Sequence, residues 1–418
     1  MARVQRTSTI WPTFEPSEAP GLREVLSFLK TLAPFDESLV EALERERGIG
    51  RNDYPVRALW NTVALMPLLG HGKFSAMIGE LQRNAALAHA LGYCQRGGRV
   101  RVPEKWVLSR FWARLKRDRY RQEVHLVLDE TVQALERDFP ELGRHVAIDS
   151  SNIRTHARPP GKLKGAQSDA APAGDKPGNA NTEPRGPRPS ADPEASWSVK
   201  TKIEEVDGQK KPRTEATFGY KAHACVDQKH AVVLAIRTTT GAHADVREAP
   251  ALLTHVAELL GEDVTLQVAM DKAYDDGQLV QECARRGIAA VVPVRDVAEE
   301  HKKQSPADRE LVLFPGDNIV YDRYSGEVAC YDLSGPEPVR REMNYAGFER
   351  DRGAHKFRCP AARAGFVCGH RERCGGGSLG KLGRQVRIPM TSDPRRFAPI
   401  YPRSKRWKRA YKGRSSVE

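Results

Sequence analysis

Two strand-like runs in this sequence each end on an aspartate: His145-Val146-Ala147-Ile148-Asp149 and Leu266-Gln267-Val268-Ala269-Met270-Asp271. A carboxylate at the end of a buried strand is held rigidly and points out of the sheet edge. Two such carboxylates, brought together by a parallel sheet, make a site for hard divalent cations. Any fold proposed for this chain has to bury both runs and still leave their last residues accessible.

The segments around the two runs supply such a fold. Thr217 to Val226 and Ala231 to Ile236 read as strands, and Asp227-Gln228-Lys229-His230 as the turn of a hairpin between them. A helix follows from about Asp245 to Leu260, with Asp245 its expected N-cap and His243 just before it. After the run ending at Asp271 come a helix from about Asp276 to Arg286 and a strand over Ala289 to Val294. Strand, hairpin, helix, strand, helix, strand is the alternation of an α/β layer architecture. In a mixed sheet the first and fourth strands can lie side by side with their carboxylates at one edge.

The first part of the chain has a different texture. Leu22, Val25, Leu26, Phe28, Leu29 and Leu32 recur at helical spacing. Asp36 and Ser38 stand where an N-cap would precede Leu39 to Leu43. Pro55 opens the apolar segment Val56 to Leu69, and further helices are expected from Phe74 to Leu91 and from Val107 to Leu135. The last carries Arg110, Arg114, Lys116, Arg117, Arg119 and Arg121. That face is either a solvated helix surface or a contact for DNA phosphates. Residues 1–140 are thus expected to form a helical domain and residues 141–418 the α/β core. Within the core, 157–195 is dense in Pro, Gly, Ala, Asp and Lys and is expected to be a disordered insertion. A second, irregular β insertion carrying cysteines is expected over 300–390.

Composition narrows the partners. The 418 residues carry a net charge of +13, a surplus that favours a polyanion, most often nucleic acid. No stretch approaches the roughly 20 apolar residues of a membrane span. The first residues lack the apolar core of a signal peptide, so a cytoplasmic location is expected. Of seven cysteines, Cys330, Cys359, Cys368 and Cys374 fall close together, with His370 beside them. They read either as a structural zinc cluster or as reduced free thiols.

Near the C-terminus a basic run, Arg395 to Arg414, includes Arg406, Lys408 and Arg409, with Phe397, Tyr401, Trp407 and Tyr411 interleaved. Such a run suits phosphate contact and stacking on bases or sugars; the alternative is a solvated tail. On a helix, Tyr411, Arg414 and Glu418 share one face. A guanidinium there would hold a phosphate oxygen, and a carboxylate would complete a metal site. On the hairpin, Lys221 and His223 point to one face and read either as groups approaching the site or DNA, or as a polar pair on a half-exposed strand.

With these residues in view, the chain resembles a DDE transposase of bacterial insertion sequences, with a ribonuclease-H-like catalytic core and a helical N-terminal transposase domain. The resemblance runs through Phe35-Asp36, Val56-Arg57-Ala58-Leu59 and Phe74 to Leu91. It continues through Ala147 to Ser151, Gly219 to His223 and Met270 to Asp275, and through Tyr411, Arg414 and Glu418 as the tyrosine-arginine-glutamate part of a signature. It implies that Asp149, Asp271 and Glu418 hold two Mg²⁺ (or Mn²⁺) ions. It implies that Tyr411 and Arg414 hold the phosphate at a transposon end, and that Lys221, His223, Arg406, Lys408 and Arg409 contact DNA. The expected activity is cleavage at insertion-sequence ends and strand transfer into double-stranded target DNA, by at least two protomers in a synapse. An inactive DNA-binding remnant and a plain metal-dependent nuclease are the competing readings. The family signature continues to a lysine seven residues beyond the glutamate, whereas this sequence stops at Glu418; either a truncated copy or fragment or an interrupted gene is therefore expected.

Overall fold

A computed structural model of the chain describes residues 20–47, 53–93, 95–96, 99–160, 189–206, 209–295, 305–314, 317–361, 368–371, 374 and 383–417. Two compact units, Met1–Asp138 and Phe139–Glu418, divide it.

The first unit is helical. It contains α1 (Arg23–Arg47), α2 (Val56–Leu65), α3 (Phe74–Arg83), α4 (Ala85–Ala90), α5 (Lys105–Leu115) and α6 (Asp118–Asp138), with a short ribbon of β1 (Gln95–Arg96) and β2 (Arg99–Val100). The apolar residues that recur at helical spacing form one core around Leu26, Leu29, Leu39, Leu43, Leu65, Met77 and Leu81. Asp36 corrects the sequence reading. It caps no helix, because α1 runs straight through it, with Pro34 inside the helix. Its carboxylate is 1% exposed and accepts the Trp60 indole N–H at 2.5 Å together with the Arg57 guanidinium. Burial raises the Asp36 carboxyl pKa, and these bonds work against that rise. The charge staples α1 to α2, which is stronger use of a carboxylate than a solvent-facing cap would be.

The second unit is built on a mixed sheet: β3 (His145–Arg154), β4 (Ser196–Val206), β5 (Gln209–Asp227), β6 (Val233–Thr240), β7 (Gln267–Met270) and β8 (Ala289–Val291). Its strands lie in the order β4-β5-β3-β7-β8, with β6 also pairing with β5. β3 is antiparallel to β5 and parallel to β7, and β7 is parallel to β8. The helices α7 (Ala249–Leu260) and α8 (Gly277–Arg285) fill the crossovers. This is the mixed, ribonuclease-H-like α/β arrangement expected from the strand-helix alternation.

β5 is longer than the sequence suggests, because its first half pairs with β4, from Ser196↔Gly219 out to Val206↔Gln209. Only the second half belongs to the expected hairpin. The change of partner falls at Gly219, whose φ is +155° and where a Cβ would stand 2.0 Å from the Ile153 carbonyl oxygen. Only glycine allows β3 to come that close. β4 itself follows directly on the insertion expected at 157–195, most of which lies outside the described residues. Its alternating Trp197-Ser198-Val199-Lys200 pattern is a strand signal that the polar stretch before it obscures.

The remaining strands form two small antiparallel sheets. One has the order β12-β11-β10-β9, with β9 (Glu310–Val312), β10 (Ile319–Asp322), β11 (Val328–Asp332) and β12 (Val339–Glu342). The other is β13-β14-β15, with β13 (Asn344–Glu349), β14 (Ala354–Arg358) and β15 (Gln385–Pro389). They share a core that includes Ile319, Val328, Phe357, Ile388, Phe397 and Tyr401. Within it, buried His355 is bonded to the Phe397 and Ala398 carbonyls. The last helix, α9 (Lys405–Lys412), returns to the large sheet, where Trp407, Ala410 and Tyr411 pack on Ala269, Val291 and Ile400.

Candidate active site

The parallel register of β3 and β7 pairs Val146 with Val268, Ala147 with Ala269 and Ile148 with Met270. The next residue along each chain is an aspartate. Neighbouring strands lie about 4.8 Å apart, so Asp149 and Asp271 emerge beside each other. The two strands differ in one respect from the sequence reading. β7 stops at Met270, but β3 continues to Arg154 because β5 still pairs with it. Asp149 is therefore mid-strand, with the Ala224 position of β5 on one side and the end of β7 on the other.

Both carboxylates have local partners. Asp271 caps the 3-10 turn Lys272–Tyr274, its Oδ1 accepting the Ala273 N–H at 2.7 Å. Asp149 Oδ1 accepts the Ser150 N–H at 2.8 Å, and Oδ2 accepts from Arg414 at 2.9 Å. Burial raises the Asp149 carboxyl pKa. The Ser150 bond opposes the rise, the neighbouring Asp271 charge adds to it, and Arg414 and Lys200 work against it. A pair of partly desolvated carboxylates that repel one another gains by sharing a cation. With oxygen donors only, the pair fits a hard divalent ion. Among the described residues no group of three or more histidine, cysteine or carboxylate side chains is arranged to hold a metal; Glu418 lies outside them.

The C-terminal segment reaches this edge, in a form tighter than expected. α9 ends at Lys412 and passes into a 3-10 turn, Gly413–Val417, that packs against β3, β5 and β7. Three residues per turn bring Arg414 over the Tyr411 ring, 5.8 Å from its centroid. Gly413 is needed for the approach, since a Cβ there would stand 2.1 Å from Gln228 Oε1. The basic run before it divides into two sets. Arg395 pairs with Asp275 and Arg403 with Glu327 and Glu342. Arg396 is buried, with its Nε on the Arg323 carbonyl. Arg406, Lys408 and Arg409 remain exposed along α9. The aromatics are used inside: Phe397 and Tyr401 are core residues, and Trp407 stacks on Tyr411 at 5.0 Å against the sheet. Base stacking by these rings, which the interleaved pattern suggested, is replaced by packing.

Lys221 and His223 share a face of β5, as their spacing requires, but that face looks inward. Lys221 is 9% exposed and donates to Asp245 Oδ1 and the His243 carbonyl, both at 2.8 Å. His223 is fully buried, with Nε2 2.7 Å from Thr239 Oγ1, and its burial lowers the imidazole pKa despite Asp245 and Glu248 nearby. Asp245 is not the N-cap of α7. It begins a separate 3-10 turn, Asp245–Arg247, and its carboxylate serves Lys221. Sequence reasoning also missed Asp275, which accepts a two-pronged bond from Arg395 and the Arg295 N–H. Its closeness to Asp271 was the available signal.

The four cysteines and His370 all lie among the described residues, and no three of them are arranged to hold a metal. Cys330 lies on β11 and Cys359 just after β14; Cys368 and Cys374 lie in the short described pieces between β14 and β15. No disulfide joins them. Burial pushes the Cys330 thiol up to about 12, with the charges of Cys359, Cys374 and Cys368 adding to it. Asn318 Nδ2 lies 3.6 Å from Cys374 Sγ.

No helix among the described residues is long and apolar enough to cross a membrane. Residues 140–333 match a family model described as a transposase DDE domain. Among curated proteins, none matches the chain.

Proposed function

We propose that the chain is a DDE transposase of the insertion-sequence type, a reading supported by the family match over residues 140–333, and that it cuts the ends of its element and joins them to target DNA. The observation that carries this reading is the β3–β7 register, which sets Asp149 beside Asp271 at the end of a strand. Asp149 and Asp271, with Glu418, would hold two Mg²⁺ or Mn²⁺ ions. Ions bound there supply Lewis acidity to the attacking and leaving oxygens of a phosphodiester displacement. The nucleophile is water in the cutting step and a DNA 3′-hydroxyl in the joining step. The protein's own part is to hold the two carboxylates rigidly, to bring Arg414 to the same edge for a phosphate oxygen, and to present Arg406, Lys408 and Arg409 to the backbone of double-stranded DNA. With a phosphate bound, Arg414 trades its bond to Asp149 for one to the substrate and leaves that carboxylate to the metal. Cutting and joining a pair of ends calls for two copies of the chain.

For Cys330, Cys359, Cys368 and Cys374 the reading is a structural zinc site that ties the two small sheets together. Cys330 on β11 and Cys359 just after β14 belong to the two different sheets, which supports it. One zinc per chain after chelator-free purification is the expected elemental analysis; a metal-free product ends that part of the proposal.

The test of the main reading is cleavage of DNA bearing the element's ends in Mg²⁺ or Mn²⁺. Asp149→Ala and Asp271→Ala should each abolish nicking while leaving DNA binding intact. If neither variant changes cleavage, the site is elsewhere. Joining of cut ends to a second DNA separates a transposase from a plain nuclease, and binding without cutting marks a remnant.

A further inference from the structure

Beneath the aspartate pair lies a polar cluster that the cutting chemistry does not use. Asp271 opens the 3-10 turn whose last residue is Tyr274. The phenol ring points into the unit, Tyr274 is 0% exposed, and its hydroxyl has no hydrogen-bond partner. The turn carrying Asp245 packs on the turn carrying Tyr274. Burial raises the pKa of the phenol, and the charges of Asp245, Asp149 and Asp271 add to the rise. The hydroxyl is a buried donor without an acceptor, on the turn that Asp271 opens.

Asp245 is already neutralised. Lys221 holds its Oδ1 at 2.8 Å, inside the same buried pocket. His223, whose Nδ1 lies 3.9 Å from the same oxygen and is also unpartnered, closes the other side. Of the three acids, Asp149 and Asp271 are the ones whose charges meet at the open edge of the sheet. A buried hydroxyl with no acceptor is a costly thing to keep. A side chain that only filled space would be satisfied as well by phenylalanine.

We propose that Tyr274 is a positioning residue for the aspartate pair: its hydroxyl donates to one inner carboxylate oxygen of the pair once a divalent cation draws the two side chains together. The proposal rests on the metal site of the preceding section. Metal-ligating carboxylates are commonly fixed by a hydrogen bond on the oxygen turned away from the ion, which orients the ligand and sharpens affinity. Tyr274 supplies that bond from below, while Arg414 occupies the outer side of Asp149. In the metal-free chain the donor waits unpaired; in the loaded chain it is satisfied.

This makes opposite demands of the two states. Tyr274→Phe in the full chain should leave the metal-free melting temperature unchanged or raised, because no bond is lost. Its affinity for Mn²⁺, measured by titration calorimetry, should fall roughly tenfold, and the rise in melting temperature on adding Mn²⁺ should shrink accordingly. Asp149→Ala is the control and should abolish both signals. A wild-type chain that neither binds Mn²⁺ nor melts higher with it refutes the metal site itself, and the tyrosine's role falls with it. If wild type and Asp149→Ala behave as expected but Tyr274→Phe binds Mn²⁺ like wild type, the tyrosine proposal alone is overturned. A Tyr274→Phe chain that is destabilised without metal, or does not fold, also overturns it, since the hydroxyl would then be serving the metal-free structure.

Discussion

The aspartate edge and the cysteine region are both candidate metal centres in one unit, and they are built in opposite ways. At the edge, two acids are delivered by adjacent parallel strands, so a register of four residue pairs fixes where they emerge. In the cysteine region, only Cys330 sits on a strand, and the other thiols follow strand ends or irregular chain. The edge keeps its groups half-desolvated, charged and countered by a cation, Arg414. In the cysteine region, burial pushes the Cys330 thiol up, and the other cysteines add to the rise. A site held by sheet register is pre-organised before any ion arrives. A site made of loop-borne thiols takes its geometry from the ion, and its contribution is to stability.

That contrast can be broken most sharply by activity. Replacing Asp149 or Asp271 by alanine should lower the rate of end cleavage by on the order of 10³-fold or more, since a bound ion supplies several kcal/mol of transition-state stabilisation. Cys330→Ser should leave the same rate within about threefold, because the thiol touches no reacting group, while lowering the melting temperature. A cysteine variant as inactive as the aspartate variants would erase the distinction. Next in size is the ion pair behind the edge. Asp275→Asn should cost about 1–3 kcal/mol in a denaturant titration, the range for a hydrogen bond to a charged group. A cost below about 0.5 kcal/mol would show that solvent replaces Arg395 at no loss.

The same carboxylate gives a pH test. Burial pushes the Asp275 pKa up, but the bonds from Arg395 and the Arg295 N–H outweigh it, so the carboxyl titrates below its ordinary value. A depressed acid contributes stability above its unfolded pKa and loses that contribution as pH falls through the folded one. The stability gap between wild type and Asp275→Asn should therefore be full near neutrality and close as the pH drops below about 4. A gap that persists unchanged in acid would mean that the bond, not the charge, does the stabilising. The smallest expected effect is at Gly413. Gly413→Ala should slow cleavage severalfold by pushing the C-terminal turn off Gln228, which is anchored on the Val146 carbonyl at 2.8 Å, with little change in the melting temperature. An unchanged rate would show that Gln228 simply moves aside.

Much of this unit was legible in the sequence. The two runs ending in aspartate, the hairpin between them and both crossover helices are local patterns, and local patterns carry to the structure because apolar periodicity decides which face is buried. Failures came where a residue's partner is distant in sequence. Asp36 and Asp245 both look like helix caps locally, yet one answers Arg57 and Trp60 and the other Lys221. Lys221 and His223 look like surface groups on an alternating strand, but both are buried, one against Asp245 and the other against Thr239. The aromatics between Phe397 and Tyr411 look like a nucleic-acid stacking set, yet Phe397 and Tyr401 pack in the core of the small sheets, and Trp407 and Tyr411 pack against the large sheet and on one another.

The sequence alone determined that the chain folds as helices followed by an α/β core, that two acids follow its buried apolar runs, and that its charge suits a polyanion. These follow from composition and from spacing within a dozen residues. Only the tertiary structure decided which charges are available. It buried Lys221 and His223, paired Arg395 and Arg403, left Arg406, Lys408 and Arg409 outside, and set Tyr274 beneath the aspartates. The reason is physical: desolvation and ion pairing depend on what is packed nearby in space, and neighbours in space are chosen by the whole sheet.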